Sequence, residues 1–241
     1  MSQYFDKITK GTEREDMLVI LQFLKTAIGQ RFSFLNYYKE IPISFYATLL
    51  SIENEMAEFE LHEYQAKVIS LKQKTLIHSH PKSPFCEDIV ANVFNVNTEK
   101  KRAIIYKFGY AKIHSELRRF VRVTLDKSAI IQMFFENKIK LSGQIMDISL
   151  GGAAISIKAD ELLAAGADVD ILLTLPETNN KFTEISLGAK IIKIIADESK
   201  KDDSVICMLE FYFDKNAQQQ ISFYINQRQV SIIKELKDLL M

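Results

Sequence analysis

Cysteine is scarce in this chain, with only Cys86 and Cys207 among 241 residues. The two lie far apart and lack metal-type spacing, so neither a disulfide framework nor a zinc knuckle is expected. Net charge is also missing, because 31 Lys plus Arg balance 31 Asp plus Glu. That balance excludes a protein built to coat nucleic acid or an anionic membrane, and it makes any basic site a local one. No uninterrupted apolar run approaches the roughly 18 residues of a spanning helix, so no membrane insertion is expected. Met1 to Asp16 lacks the basic start, apolar centre and small-residue cleavage site of a secretory leader, and the expected location is the cytoplasm. GxSxG, P-loop, GxGxxG and HExxH signatures are all absent, so catalysis has no evident machinery and neither an enzyme nor a cofactor is expected.

What is present is a globular composition, 47% hydrophobic and 26% charged, long enough for two modest domains with separate cores. Glu13 to Gln30 places Met17, Leu18, Leu21, Leu24, Ala27 and Ile28 near helical spacing behind acidic residues, which predicts an amphipathic helix. Short stretches rich in β-branched and aromatic residues come next: Phe32 to Tyr38, Ile43 to Ser51, Ala57 to Leu61, Ala66 to Leu71, Val90 to Val96 and Ala103 to Phe108. Turn formers such as Pro42, Asn54, Pro81, Pro84 and Asn97 separate several of them, a pattern that predicts a small barrel or sandwich. Beyond a boundary set near Ile113 to Glu116, strands are expected at Val121 to Leu125, Ser128 to Phe135, Lys140 to Ile148, Ala153 to Ile157, Val169 to Leu175, Glu184 to Ile195 and Val205 to Tyr212. Asp160 to Ala165 reads as a short helical turn. From Asp214 onward, Ile221, Tyr224, Ile225, Ile232, Ile233, Leu236 and Leu239 form a helical stripe that packs on its own domain or could pair two chains as a homodimer. The expected fold is thus mainly β, with an N-terminal and a C-terminal helix.

Two short segments carry chemistry. Leu117-Arg118-Arg119-Phe120-Val121-Arg122 reads RxxxR, its ends roughly 13 Å apart if extended. Guanidiniums so spaced can reach around a compact dianion, each gripping phosphate bidentately. Asp147-Ile148-Ser149-Leu150-Gly151-Gly152 reads DxSxxG. With a period of two, Asp147 and Ser149 share a strand face. An ionised carboxylate only accepts hydrogen bonds, which suits the guanine edge bearing two N–H donors, while Ser149 can donate to a phosphate or a ring acceptor. Gly151 and Gly152 permit a tight turn and let a flat ring approach the backbone. The pattern points to a ligand with guanine faces and more than one phosphate.

RxxxR followed by DxSxxG between strands of a small barrel resembles the PilZ domain, the bacterial receptor for cyclic di-GMP. The similarity runs from about Ser115 to the end. With the closing helix Tyr224-Ile225-Asn226-Gln227-Arg228, it extends to the two-domain YcgR-type flagellar brake proteins. The resemblance implies two β-barrels in tandem: residues 1–113, a split-barrel-like N-terminal domain with its leading helix, and residues 114–241, a six-stranded PilZ barrel with a C-terminal helix. It implies that Arg118 and Arg122 hold phosphates and stack on or bond guanine, with Arg119 beside them. Asp147, Ser149 and Gly152, backed by Gly151, would hold a guanine edge. Many members of the family carry a further arginine where this chain has Leu117. A third guanidinium could stack on a second, intercalated nucleotide and leucine cannot, so one cyclic di-GMP per chain is expected. The implied function is a receptor that changes its interdomain arrangement on binding and regulates motility or biofilm through a protein partner, with the flagellar motor or stator as candidates.

Each piece also has a plainer explanation. Arg118, Arg119 and Arg122 could form a solvated basic face, and Asp147 and Ser149 could close a hairpin through side-chain to backbone hydrogen bonds. A PilZ-like interaction module that no longer binds nucleotide would then remain. Lys100-Lys101-Arg102, Lys107, Lys112 and Arg118-Arg119, interleaved with Tyr106, Phe108 and Tyr110, raise a nucleic-acid alternative. Apolar-in, basic-out alternation explains the same pattern, and Asp147 would repel a polyanion, so no nucleic-acid partner is expected. His78 and His80, with Cys86 nearby, lack a fourth ligand in register and read as loop histidines, not a metal site.

Overall fold

The computed structural model describes residues 4–79, 87–114, 119–125, 129–135, 140–177, 181–196, 203–212 and 214–240. The chain divides into two compact units, residues 1–118 with 233–241 and residues 119–232.

The first unit begins with β1 (Phe5–Ile8) and α1 (Glu13–Thr26), followed by β2 (Arg31–Tyr38), β3 (Ile41–Glu53), β4 (Met56–Glu60), α2 (Glu63–Lys72), β5 (Lys74–Ile77), β6 (Asp88–Asn97) and β7 (Arg102–Ile113). Six antiparallel strands close into a ring in the order β7-β4-β3-β2-β5-β6, and β1 extends it along the far half of β7. Alternation fixes which residues face in. Phe32 and Phe34 of β2 meet Phe59 of β4, the Phe34 and Phe59 centroids 4.9 Å apart. Ile20, Leu21 and Leu24 of α1 join the same core. Each such fully buried side chain contributes about 1.5 to 3 kcal/mol.

Local chemistry sets the start of α1. Thr12 and Glu15 form a reciprocal capping box, with the Glu15 N–H donating to Thr12 Oγ1 (3.2 Å) and the Thr12 N–H to Glu15 Oε2 (2.8 Å). This satisfies two backbone donors that the helix leaves open. Helix α1 stops at Thr26, short of the expected Gln30, because Gly29 takes φ +83° and turns the chain into β2.

The stretch Ala66 to Leu71, expected to be a strand, is part of α2. Ala66, Val68 and Ile69 are buried at helical spacing. The His62 ring nitrogen accepts from the Tyr64 N–H at one end, and Gln73 closes the other in the left-handed conformation. Packing on the barrel overrides the β preference of Val68 and Ile69.

The second unit contains β8 (Val123–Thr124), β9 (Ile130–Phe134), β10 (Lys140–Ser149), β11 (Gly152–Lys158), β12 (Asp168–Pro176), β13 (Phe182–Ala196), β14 (Ser204–Phe211) and most of α3 (Lys215–Asp238). Its six-stranded ring runs β11-β14-β13-β12-β9-β10 and closes through β10–β11, with β8 added along β10. Ile171, Leu173 and Leu175 alternate into the core, with Ile171 opposite Met133 and Leu173 opposite Ile131, and Ile145, Ile155 and Ile191 are buried as well. Ala217, Ile221, Tyr224, Ile225, Ile232 and Leu236 form the buried stripe of α3. Ile233 and Leu239, expected in that stripe, are exposed.

The chain is therefore mainly β, with two closed six-stranded barrels and helices towards both ends, as the sequence leads one to expect. Two details differ. The strand expected over Val121 to Leu125 is paired only at Val123–Thr124, and Asp160 to Ala165 is a pair of hydrogen-bonded turns, with the Leu163 N–H donating to the Asp160 carbonyl, not a helix. Among the described residues, no helix is long and apolar enough to cross a membrane.

Candidate functional site

A bulge in β10 sets the geometry of the candidate site. Ile145 pairs with Ile155 and Asp147 with Ala154, so Met146 is an extra residue. Such an insertion breaks the two-residue alternation and re-aims the side chains beyond it. Ile145 and Ile148 both point inward as a result, and Asp147 is left partly exposed at the rim. Strict alternation would have placed Asp147 with Ile145, inside the apolar core.

Strand β8 runs against this rim, Thr124 opposite Asp147 and Val123 opposite Ile148. Val123 and Leu125 anchor it in the core. Arg122, just before β8, consequently places its Nη1 3.8 Å from Asp147 Oδ1. A partly exposed pair at this separation is worth about 1 kcal/mol or less. Arg122 can thus exchange this contact for one with a ligand at little cost.

Ser149 is buried, and its hydroxyl donates to the carbonyl of Gly152, its cross-strand partner, at 3.2 Å. Its proton closes the β10–β11 hairpin, and its lone pairs remain acceptors. Gly152 lies so close to β14 that a Cβ there would sit 2.0 Å from the Leu209 carbonyl oxygen. A Cβ on Gly151 would come within 3.0 Å of the Phe120 ring. The flat group resting on this glycine is thus the protein's own Phe120, and the Arg119 guanidinium stands 5.2 Å from that ring's centre. Arg119 itself is exposed.

The structure brings Arg122, Asp147, Ser149, Gly151 and Gly152 to one end of the second barrel. Arg118 and Leu117 lie outside the described residues. Two neighbours escape a reading of motifs. Phe120 ties the arginine segment to the glycine turn, and its one signal is an aromatic residue inside a run of cations. Arg228 of α3 donates from Nε to the Thr124 carbonyl (3.3 Å), which sets another guanidinium beside β8. Only the fold unites it with residues a hundred positions earlier.

Residues invoked for other functions are engaged elsewhere. Phe108 and Tyr110 are buried in the first barrel and cannot stack bases, while Lys101 and Arg102 pair with Glu63 and Glu58. His78 faces Asp88, whose carboxylate also accepts from the Ser79 N–H and hydroxyl; His80 and Cys86 lie outside the described residues. Burial pushes the Cys207 thiol up to about 11, which keeps it protonated and inert near neutrality.

The second unit is thus a closed antiparallel barrel with a bulged, acidic rim and an arginine segment against it. Residues 116–227 match the PilZ domain family. Among solved structures, it is similar to YcgR from Escherichia coli in complex with c-di-GMP, with 12% identity, 98% of this chain and 97% of that chain covered, and a TM-score of 0.46. It is also similar to the MrkH–c-di-GMP complex from K. pneumonia (16% identity, 95% and 100% covered, TM-score 0.48). A third likeness is to the Bacillus subtilis inhibitor of motility MotI/DgrA (17% identity, 85% and 97% covered, TM-score 0.42). No curated protein matches the chain in sequence.

Proposed function

We propose that the protein is a cyclic di-GMP receptor that acts as a binding module and not as an enzyme. The observation that carries this reading is the juxtaposition of Arg122 and Asp147 at the bulged rim of a PilZ domain. A guanidinium beside a carboxylate is a divided recognition surface: the cation suits the nucleotide's phosphates, and the acceptor suits the two N–H donors of guanine. On binding, Arg122 would turn from Asp147 to phosphate, with Arg118 and Arg119 as further cations of the same segment. Gly151 and Gly152 keep the turn thin, and Ser149 offers lone pairs. Leu117 cannot stack on a second nucleotide, which limits the site to one cyclic di-GMP per chain.

Ligand capture by an arginine segment at the head of the PilZ domain would also change the interdomain arrangement, and a protein partner would read that change. Control of motility or biofilm, through the flagellar motor or stator, is the corresponding biological role in the cytoplasm.

Titration calorimetry with cyclic di-GMP tests the site. Arg122→Ala and Asp147→Ala each remove a charge-assisted bond and should weaken binding about ten- to a hundredfold. The wild type should saturate at one nucleotide per chain. Variants that bind like the wild type would displace the pocket from this rim, and a stoichiometry of two would remove the role given to Leu117.

A further inference from the structure

The first barrel holds an open cleft of about 460 Å³, between β1, the first turns of α1 and strands β5 to β7. This is within the range of small-molecule sites. Val90 and Phe108 give it an apolar base, with Met17 on one side.

Its charges are unevenly matched. Of the lining cations, Lys7 is paired with Glu13 and Arg14 is held by both oxygens of Glu55. Of the acids, Asp16 is buried and accepts the backbone N–H groups of Lys10 and Gly11. Lys74 and Lys107 remain; among the described residues neither makes an ion pair, and the Lys107 ammonium stands 5.5 Å from the centre of the Tyr106 ring, a contact that leaves its charge unneutralised. Register places Lys74 opposite Asn92 and Asn92 opposite Tyr106, the residue before Lys107. The backbones of Lys74 and Lys107 thus stand on either side of Asn92 across three adjacent strands, a span of roughly 10 Å.

Lys107 is there because of a distortion. Between the pairs Val90–Gly109 and Asn92–Tyr106, β7 carries one residue more than β6. Lys107 takes φ +51° at this bulge, and among the described residues it is the only non-glycine residue inside a strand in the left-handed region. Left-handed lysine is conformationally unfavourable, and strain of this kind gathers at ligand sites.

We propose that this cleft binds a small organic anion, its oxyanion head held by Lys74, Lys107 and the Asn92 carboxamide and its apolar body lying on Val90 and Phe108. The site differs in chemistry from the PilZ rim. Its cations without an ion pair are lysine point charges, not guanidinium forks, and its acids are engaged, leaving no acceptor for a guanine edge.

The test uses the full-length protein and 8-anilinonaphthalene-1-sulfonate, an aromatic body with a single oxyanion, followed by fluorescence. Saturable binding to one site is expected, weakened at least tenfold by Lys74→Glu and by Lys107→Gly. N-phenyl-1-naphthylamine, which lacks the sulfonate, should also bind at least tenfold more weakly. Lys107→Gly relieves the left-handed strain, so its melting temperature should hold or rise while affinity falls, which separates lost binding from lost folding. Arg122→Ala should leave the probe's affinity unchanged, so the two sites stand or fall separately. No saturable binding, equal binding by Lys74→Glu and Lys107→Gly, or equal binding of the sulfonate-free probe would overturn the proposal.

Discussion

A side chain added at Gly152 would meet the Leu209 carbonyl at 2.0 Å, a contact with backbone that no rotamer change can relieve. Gly152→Ala should therefore destabilise the second barrel by about 3 kcal/mol in urea unfolding, the upper part of the range for overpacked sites. The requirement for glycine at 152 is first a matter of β11 packing on β14. Ser149 teaches the same lesson, because its hydroxyl closes the hairpin through the Gly152 carbonyl. The motif's residue types were legible in the sequence, yet part of what they do is build the turn that a ligand would rest on. Phe120 and Arg228 were not legible, since their meaning depends on which distant residues the fold sets beside them. Cys207 adds a pH effect: its thiol titrates at about 11 in the folded chain, against an ordinary value of 9.0. The raised value favours the protonated folded state, so the contribution is complete below pH 9 and is lost as pH climbs towards 11. Stability measured across that window should fall in the wild type, and Cys207→Ala should lack this component of the slope.

Among the elements, those with long, clean periodicity were readable and those fixed by packing were not. Helix α1 and strands β10, β12 and β14 are evident from apolar spacing alone. Helix α2 was misread because Val68 and Ile69 favour strands, and the decisive terms are burial of one face together with the caps at His62 and Gln73. Short β1 and β5 give too few residues to show a period. The tight turn at Lys39-Glu40 uses left-handed residues with neither glycine nor asparagine, so its usual marker is missing, whereas Asn54 marks the turn at Asn54-Glu55. The bulge at Met146, on which the placement of Asp147 depends, leaves no trace in composition. Gln73 offers a direct check, because it ends α2 at φ +57° where glycine is unstrained. Gln73→Gly should raise stability by about 0.5 to 1 kcal/mol in chemical denaturation.

At the scale of the whole chain, a ligand confined to the PilZ domain should stabilise one barrel selectively. Cyclic di-GMP at a hundredfold excess over its dissociation constant adds about 2.7 kcal/mol to the state that binds it. For a unit of this size that corresponds to about 10 °C or more. Scanning calorimetry should show the transition of residues 119–232 moving upward with nucleotide, and Arg122→Ala, binding ten- to a hundredfold more weakly, should cut the stabilisation at the same concentration to about 0.4 to 1.4 kcal/mol. The tandem arrangement was legible because two sets of short strands, each bracketed by helical periodicity, have few other ways to bury their apolar faces. The closure of each ring was not, since it depends on long-range pairings such as β10 with β11 and β6 with β7.

Ring closure leaves the two sheets few places where a foreign strand could add. The strands that end the sheet orders outside the rings are β1, four residues long, and β8, only two. Arg228 already occupies the Thr124 carbonyl of β8. More than half of the described residues lie in strands, yet the two strands outside the rings are short and the Thr124 carbonyl of one already accepts from Arg228, which leaves little template there for edge-to-edge growth.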